Sequence, residues 1–285
     1  MNIEVNVLNS FSVNNSGGNP AGLVAPADHL SPAQKQYIAS KAGLSETAFV
    51  SASKIADVKL EFFTPSKQIP HCGHATIATF SHLKKTGRIT STHSSKETID
   101  GTRKILFSGE EAYMEQTAPR FFSVAEQEAI IRSLGITTHS LDARFHPVAG
   151  NTGNTFILVG VKDEQTLAMI KPDQKLIAGI SEIYGAVGYY VFTTKASGFD
   201  AQARMFGPAY GIPEESATGM AAGPLACLLF ENGMNKVNFV IGQGKYMDPP
   251  SESRINVKLN TGGNRVLDLT VGGNAYLAKT IVVEI

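Results

Sequence analysis

The first third of the chain contains side chains of types that can move protons between carbon atoms. Glu46 lies two residues before the apolar run Ala48-Phe49-Val50 and shortly after Gly43, which predicts the end of a helix. A carboxyl group shielded by apolar neighbours can take up and release a proton, as general acid–base catalysis requires. A solvated surface position is the ordinary alternative for a glutamate.

Cys72 and His74 lie at the predicted start of a helix of small residues. At that position the helix dipole favours a neutral His74 imidazole, which can orient a substrate or shuttle a proton. A polar first-turn residue without any catalytic task fits the same pattern. For Cys72 the dipole is expected to lower the pKa of the thiol, and burial as a small hydrophobic residue is the alternative.

The region around Cys72 has a counterpart 143 positions later in the chain: residues 62–80, FFTPSKQIPHCGHATIATF, correspond to residues 205–223, MFGPAYGIPEESATGMAAG. Each segment runs from an apolar strand through Phe-x-Pro and a loop into a helix rich in small residues. A repeat of this length indicates two half-chain domains, because solenoid repeats span only about 20–50 residues. We expect the two helix N-termini to face one cleft and to bind a small carboxylate-bearing ligand.

Turn signals and caps predict the elements that position these residues. Predicted strands cover residues 3–8, 22–25, 47–52, 57–63, 103–108, 111–115, 154–160, 187–194 and 200–206. The first helix is expected to begin at the N-cap Ser31, with Gln34 closing a capping box, and to end at Gly43. Further helices are expected over 74–86, from Ser123 and Glu126 to Gly135, and over 218–231 with Pro224 inside it. Because strands outnumber helices, we expect an α+β fold in which largely antiparallel sheet wraps a central helix, twice.

Composition restricts the partners and cofactors that fit this chain. The 25 basic and 25 acidic residues cancel, and no basic cluster indicates a nucleic-acid or membrane surface. We expect a cytoplasmic protein, since the chain shows no signal peptide and no apolar stretch of about 18 residues. Nucleotide-binding glycine motifs are missing. Cys72 and Cys227 form no disulfide pattern, and no second cluster completes a zinc site with His71, Cys72 and His74, so neither cofactor nor metal is expected.

Four motifs together resemble the phenazine-biosynthesis isomerase-like (PhzF) family: GGNPAG at 17–22, LSETAFV at 44–50, FFTPSKQIPHCGHATIA at 62–78 and GIPEESATGMAAG at 211–223. The resemblance covers nearly the whole chain. It implies the diaminopimelate-epimerase-like fold, with two similar domains related by a pseudo-two-fold axis, the active site in the cleft, and a homodimer. Characterised members isomerise a dihydro-hydroxyanthranilate with a glutamate as acid and base, and that glutamate matches Glu46.

The resemblance and the repeat together predict the domains and the site. One domain covers 1–118, which the last strand at 278–285 can complete, and the other covers 119–277. Beside the catalytic residues Glu46 and His74, the matching motifs imply substrate-binding positions at Asn19, Cys72, Gly73, Ala75, Glu215, Thr218, Gly219 and Met220. Asn19 fits a turn equally well, and the run Gly242-Gln243-Gly244 is a second loop of undecided role.

Among the departures of the second-half motif from the family pattern, two concern polar side chains. The family usually has EDPATGSA, whereas this chain has Glu215 in place of the aspartate and Met220 in place of a serine. Glu215 keeps the carboxylate on a longer side chain, and the Met220 thioether is only a weak hydrogen-bond acceptor. These departures bear on the phenazine substrate more than on the reaction class.

Three functions are compatible with the sequence. The favoured one is a cofactor-independent isomerase in which Glu46 removes a proton from an activated carbon and returns it elsewhere on the same face. An amino-acid racemase or epimerase would use Cys72 opposite Glu215, since cofactor-independent racemases of the same fold carry a Cys before a Gly in each half. A small-molecule binding protein without turnover is the third, and Met220 is the feature that supports it.

Overall fold

The computed structural model describes residues 1–285 and is dominated by β-sheet. The strands are β1 Asn2–Ser10, β2 Asn19–Val24, β3 Thr47–Ser51, β4 Val58–Phe63, β5 Gln68–Ile69, β6 His93–Thr98, β7 Gly101–Ser108, β8 Glu111–Thr117, β9 Arg120–Ser123, β10 Val148–Asn151, β11 Thr155–Gly160, β12 Ala186–Thr193, β13 Ala201–Gly207, β14 Ile212–Glu215, β15 Asn238–Gln243, β16 Ser253–Gly262, β17 Arg265–Gly273 and β18 Ala275–Glu284. The α-helices are α1 Pro32–Ala42, α2 Gly73–Lys85, α3 Gln127–Ser133, α4 Glu164–Met169, α5 Gln174–Ile183 and α6 Gly219–Glu231. The predicted α+β class is confirmed.

The chain divides into two compact units, one of residues 1–115 with 272–285 and the other of residues 116–271. In the first unit the strands pair in the order β18-β1-β2-β3-β4-β6-β7-β8, and β5 also pairs with β4. The pairs β2–β3 and β4–β6 are parallel, and the others are antiparallel. Parallel neighbours need a crossover connection, and here α1 and α2 supply the two crossovers.

The second unit repeats this connectivity. Its strands pair in the order β9-β10-β11-β12-β13-β15-β16, with β14 pairing with β13. The parallel pairs are β11–β12, joined through α4 and α5, and β13–β15, joined through α6. Each unit therefore places one helix rich in small residues after its second antiparallel hairpin, as the repeat in the sequence predicts.

The spacing of the repeat changes just before these helices. The strands β4 and β13 start 143 positions apart, whereas α2 and α6 start 146 positions apart, because the stretch from the start of β13 to the start of α6 is three residues longer than that from β4 to α2. Cys72 is the N-cap of α2, and Thr218 is the N-cap of α6. The residue equivalent to Cys72 is therefore Thr218. A constant spacing of 143 residues would instead have made Glu215 its equivalent.

The two equivalent helices are enclosed by their units. Buried residues make up 9 of the 13 in α2 and 8 of the 13 in α6, and α2 packs against β1, β2, β3 and β18. Small side chains all round let strands approach from several sides. Pro224 lies within α6 without ending it, although it cannot donate the usual backbone hydrogen bond. No helix of the structure has both the length and the apolar character needed to cross a bilayer.

Local signals predicted some helix ends well and others poorly. The predicted capping box of α1 is confirmed, since the Ser31 N–H donates to Gln34 Oε1 at 2.9 Å and the Gln34 N–H donates to Ser31 Oγ at 3.3 Å. Gly43 ends α1 with a left-handed φ of 65°. The predicted opening of α3 at Ser123 is wrong, because Ser123 ends β9 and the helix begins after Glu126. The short helices α4 and α5 were not predicted.

Candidate active site

Glu46 is fixed by its backbone at the start of β3. Its carbonyl oxygen accepts a hydrogen bond from the Gly22 N–H at 2.9 Å. A Cβ on Gly22 would lie 2.7 Å from Thr47 Oγ1, so only glycine allows β2 to approach β3 this closely. The Glu46 side chain is 15% exposed, which leaves it largely shielded but still reachable by a small molecule.

The start of α2 brings two more candidate residues to the same place. Cys72 has an extended backbone, with φ −145° and ψ 118°. Its carbonyl oxygen accepts hydrogen bonds from the Thr76 N–H at 3.2 Å and from Thr76 Oγ1 at 2.7 Å. Gly73, His74 and Ala75 form the first turn of the helix, and Cys72 and His74 are both buried.

The His74 imidazole lies between the thiol and the carboxylate. Its Nε2 is 3.3 Å from Glu46 Oε2, within ion-pair distance although the two atoms lack the alignment of a regular hydrogen bond. Its Nδ1 is 3.6 Å from Cys72 Sγ. A neutral imidazole with its proton on Nε2, accepting from the thiol at Nδ1, is consistent with both contacts. The three side chains thus form a compact cluster in which the imidazole contacts both the thiol and the carboxylate.

The thiol of Cys72 is not activated in the way the sequence predicts. Burial raises the pKa of Cys72, and the opposing effects of His74 and of the Ala75 backbone amide are smaller. The expectation of a lowered pKa is therefore wrong, because desolvation of the thiolate outweighs the helix N-terminus. The core position predicted for Cys227 is confirmed, and burial raises the pKa of its thiol to about 12.

The two histidines of the His71-x-x-His74 motif face different groups. His71 Nδ1 lies 3.2 Å from Lys96 Nζ, whereas His74 lies between Cys72 and Glu46. Glu46, Cys72 and His74 offer ligand atoms within 4.8 Å of one another, and all three types bind zinc. The same three side chains are equally suited to passing a proton, since each of them can accept one or give one up.

In the second unit Gln243 holds the start of α6. It is fully buried, and its Oε1 accepts hydrogen bonds from the Thr218 N–H at 3.0 Å and from the Tyr190 hydroxyl at 2.9 Å. Its Nε2 donates to the Glu215 carbonyl at 2.7 Å, and the Thr218 hydroxyl donates to the Glu215 carboxylate. The sequence marked Gln243 only through the glycines on either side of it. Both polar groups of Thr218 are engaged within this unit.

The remaining predicted binding residues lie at other points of the two units. The Gly219 carbonyl accepts a hydrogen bond from Gln116 Nε2 at 3.1 Å. Met220 is partly buried, and its Cε lies 2.8 Å from where a Cβ on Gly153 would be. Asn19 begins β2, is buried, and accepts a hydrogen bond at its carbonyl from Ser10 Oγ at 3.1 Å. The structure thus brings together Glu46, Cys72 and His74 in one unit and Glu215 and Thr218 in the other.

Two units of one plan, each enclosing a helix rich in small residues, define the class as the epimerase-like fold, which this chain shares with a hydroxyproline epimerase. Within that class, the family described as phenazine biosynthesis-like protein (PhzC-PhzF) matches residues 8–280, and the chain belongs to this family. The predicted family membership and fold are confirmed.

Relatives and solved structures agree with this assignment. An uncharacterised isomerase of Clostridium acetobutylicum is 30% identical over 95% of this chain and 94% of that protein. The trans-2,3-dihydro-3-hydroxyanthranilate isomerase of Pseudomonas fluorescens is 31% identical over 80% of each chain. The PhzF-family protein of Bacillus anthracis has 28% identity and a TM-score of 0.92 over 100% of both chains. A hydroxyproline epimerase from Agrobacterium vitis, at 14% identity, has a TM-score of 0.60 over 99% of this chain and 91% of that one, and shares the fold. The chain is an isomerase-type enzyme.

Proposed function

We propose that this chain catalyses a cofactor-independent isomerisation in which Glu46 moves a proton between two carbons of a small carboxylate-bearing metabolite. The observation that carries the proposal is the 3.3 Å separation of Glu46 Oε2 and His74 Nε2. A largely shielded carboxylate beside an imidazole is an arrangement from which general acid–base catalysis can proceed. This function is favoured over binding without turnover, because the relatives are named isomerases.

The proposed reaction needs no redox partner. The ionised Glu46 carboxylate takes a proton from an acidic carbon, and the electron pair of that C–H bond passes into the conjugated system of the substrate. The protonated Glu46 then returns the proton to another carbon, so the double bond moves and the enzyme is unchanged. His74 Nε2 lies 3.3 Å from this carboxylate and completes a hydrogen bond to it in the substrate complex, where catalytic contacts tighten. This transfer requires that both reacting carbons of the substrate come within about 3–3.5 Å of a carboxylate oxygen of Glu46.

The substrate class rests on the helix start as well as on the relatives. The backbone N–H groups of the first turn of α2 have no partner within the helix, and the dipole favours an anion there. Relatives named for trans-2,3-dihydro-3-hydroxyanthranilate act on such a carboxylate. We therefore expect a substrate with a carboxylate close to the reacting carbon. The binding roles of Asn19 and of the residues at the start of α6 are part of the same proposal, as is the homodimer.

An amino-acid racemase that uses Cys72 opposite Glu215 is the less favoured alternative. Thr218 occupies the N-cap position of the second helix that corresponds to Cys72, and a threonine hydroxyl does not serve as a base near neutral pH. The raised pKa of the Cys72 thiol also disfavours a thiolate base. Glu46 is the better placed base in the first unit.

Deuterium exchange distinguishes the candidate functions. The protein is incubated in deuterated water with trans-2,3-dihydro-3-hydroxyanthranilate, and separately with L-proline and trans-4-hydroxy-L-proline, and the products are followed by NMR. Deuterium incorporation with a shifted double bond supports the proposal. Incorporation with inversion at the α-carbon of an amino acid would replace it by the racemase, and binding without exchange of any carbon-bound proton would replace it by a binding function.

A further inference from the structure

Lys96 is a buried cation for which the proposed reaction has no role. It lies on β6 with no exposed surface and ranks among the largest fully buried side chains. Its Nζ donates to Thr76 Oγ1 at 2.8 Å, lies 3.2 Å from His71 Nδ1, and sits 5.3 Å from the centre of the Phe62 ring. None of these partners is a carboxylate.

The position of Lys96 is electrostatically unfavourable. The pKa of Lys96 is lowered to about 7, mainly by burial; Arg103 acts in the same direction, and Cys72 and Asp100 act against it. Asp100 is hydrogen-bonded to Arg103 at 2.6 Å and so does not pair with Lys96. The pKa of His71 is lowered to about 3, mainly by burial, so His71 is neutral at the pH at which Lys96 titrates. A buried ammonium without a counter-ion destabilises a fold.

A second buried lysine in the same unit shows the ordinary arrangement. Lys35 on α1 is buried, and its ammonium forms an ion pair with the largely buried carboxylate of Glu61. Its charge is balanced where it lies, as is usual for buried lysines. Lys96 differs because its hydrogen bonds lead toward the start of α2 instead of to a carboxylate.

The contacts of Lys96 continue to the candidate active site. Thr76 has a single hydroxyl proton, which it donates to the Cys72 carbonyl at 2.7 Å, so its oxygen accepts from Lys96. The Cys72 carbonyl belongs to the N-cap residue whose thiol lies 3.6 Å from His74 Nδ1. His74 in turn contacts Glu46. A continuous path therefore connects the buried ammonium with the proposed base.

We propose that Lys96 is a positioning residue. It acts through the Thr76 hydroxyl to hold the Cys72 backbone, and this backbone holds the His74 imidazole next to Glu46. This inference rests on the proposed function. Lys96 touches neither the substrate nor the reacting proton. Its role explains why a buried lysine without a counter-ion is placed behind this helix start: an isosteric methionine would fill the space and avoid the cost of burying the charge.

Matched variants separate positioning from stability. Lys96→Met should lower kcat at least about tenfold, because a small misplacement of a catalytic group is costly, while KM changes little and the thermal midpoint is unchanged or raised. Lys35→Met is the control: it removes the nearer of the two cations beside the largely buried Glu61, leaving only Lys59 Nζ at 4.0 Å, and should lower the thermal midpoint without changing kcat. The rates are measured as deuterium exchange into trans-2,3-dihydro-3-hydroxyanthranilate.

The hydroxyl of Thr76 gives an independent test. Thr76→Val removes the hydroxyl at constant shape and should resemble Lys96→Met, whereas Thr76→Ser keeps the hydroxyl and should keep at least half of the wild-type kcat. The double variant should lose no more than the more damaging single variant, because both changes break one path. In histidine-labelled protein the His74 ring signals should shift in Lys96→Met and Thr76→Val but not in Thr76→Ser or Lys35→Met.

The NMR measurement of the His74 ring needs no substrate. It therefore tests the inference about Lys96 even if the compound chosen for the rate measurements is not turned over. Unshifted His74 signals in Thr76→Val would overturn the inference, as would full kcat in both Lys96→Met and Thr76→Val. If Glu46→Gln abolishes exchange while these two variants keep full activity, only the inference about Lys96 fails. If Glu46→Gln keeps full activity, the proposed function fails first.

Discussion

His74 and Met220 occupy equivalent positions, each being the second residue of a central helix that begins with glycine. In the first unit this position carries an imidazole that contacts Glu46 at 3.3 Å. In the second it carries a thioether, which cannot exchange a proton. The two units therefore share a backbone plan but not a chemistry, and the proposed base and its partner both lie in the first unit.

Replacing Glu46 by glutamine should nearly abolish turnover. Glutamine keeps the size and the polarity of the side chain but cannot accept the proton, and general acid–base catalysis is worth about 10²–10⁴-fold. Deuterium exchange measures the loss, and thermal unfolding checks that the fold is intact. Glu110→Gln is the control, because that side chain is 66% exposed in the same unit, and it should keep full activity. A fully active Glu46→Gln enzyme would return Glu46 to an ordinary surface role.

Cys72→Ser should have a small effect on the rate. In the isomerase the thiol only contacts the imidazole, so we expect a loss below about tenfold, or 1.4 kcal/mol in the activation free energy. Both thiols are buried with raised pKa values, so iodoacetamide should alkylate Cys72 and Cys227 slowly, as peptide mass spectrometry can show. A thousandfold loss of rate in Cys72→Ser would instead establish the thiol as a base.

Met220→Ser should improve use of trans-2,3-dihydro-3-hydroxyanthranilate. The resemblance to the family implies a serine here, and its hydroxyl can hydrogen-bond the substrate where the thioether cannot. We expect kcat/KM for this compound to rise about tenfold, within the range of a hydrogen bond to substrate. Met220→Ala separates the loss of bulk from the gain of a hydroxyl. Equal kinetics for the serine and alanine variants would mean that only size matters at this position.

Gln243→Leu should strongly destabilise the second unit. The change leaves the Thr218 N–H, the Tyr190 hydroxyl and the Glu215 carbonyl without the partners they have now, at about 1–3 kcal/mol for each buried group that stays unsatisfied. Urea denaturation should show a lower free energy of unfolding. Gln165→Leu, at an exposed position of α4, should change stability by less than about 0.5 kcal/mol. Comparable stability of the two variants would contradict the role given to Gln243.

Stability should rise with pH because of His71 and Lys96. The folded-state pKa of His71 is about 3 instead of 6.5, and that of Lys96 is about 7 instead of 10.5. Between the two pKa values of each residue, the unfolded chain binds more protons than the folded one. His71 therefore contributes a loss of stability as the pH falls from 6.5 toward 3, and Lys96 a gain as the pH rises from 7 toward 10.5. Urea denaturation across this range should show a smaller alkaline gain in Lys96→Met. An unchanged alkaline slope in that variant would contradict the lowered pKa.

The sequence predicted the features that depend on neighbours along the chain. Ser31, Gln34 and Gly43 fix the ends of α1 through local hydrogen bonds and a left-handed φ, so their types and spacing suffice. Alternating apolar runs likewise indicated most strands of both hairpins around the central helices. The helix α4 escaped because six residues carry little periodic signal. The helix α5 does carry one, since it has an aspartate N-cap and apolar residues at helical spacing such as Ile177 and Ile180, and it could have been predicted from the sequence.

The site could be predicted as a set of residues but not as an arrangement. The motifs identified Glu46, Cys72 and His74, yet only the fold shows that His74 lies between the other two while His71 faces Lys96. The sequence also suggested a reactive Cys72 thiol, because its position at a helix start can be inferred from spacing. The desolvation that raises the pKa of this thiol depends on distant strands, which spacing does not reveal.

The repeat shows the same division between sequence and tertiary structure. The 143-residue spacing follows from the chain alone, since Phe-x-Pro recurs in both halves. The equivalence of Cys72 with Thr218 depends on where α2 and α6 begin, and three extra residues between the start of β13 and the start of α6 move that helix start without altering the pattern on either side. Sequence determined which residues the protein has for proton transfer. Packing of the helix starts against the sheets decided which of them meet, because contacts across strands depend on register and not on spacing along the chain.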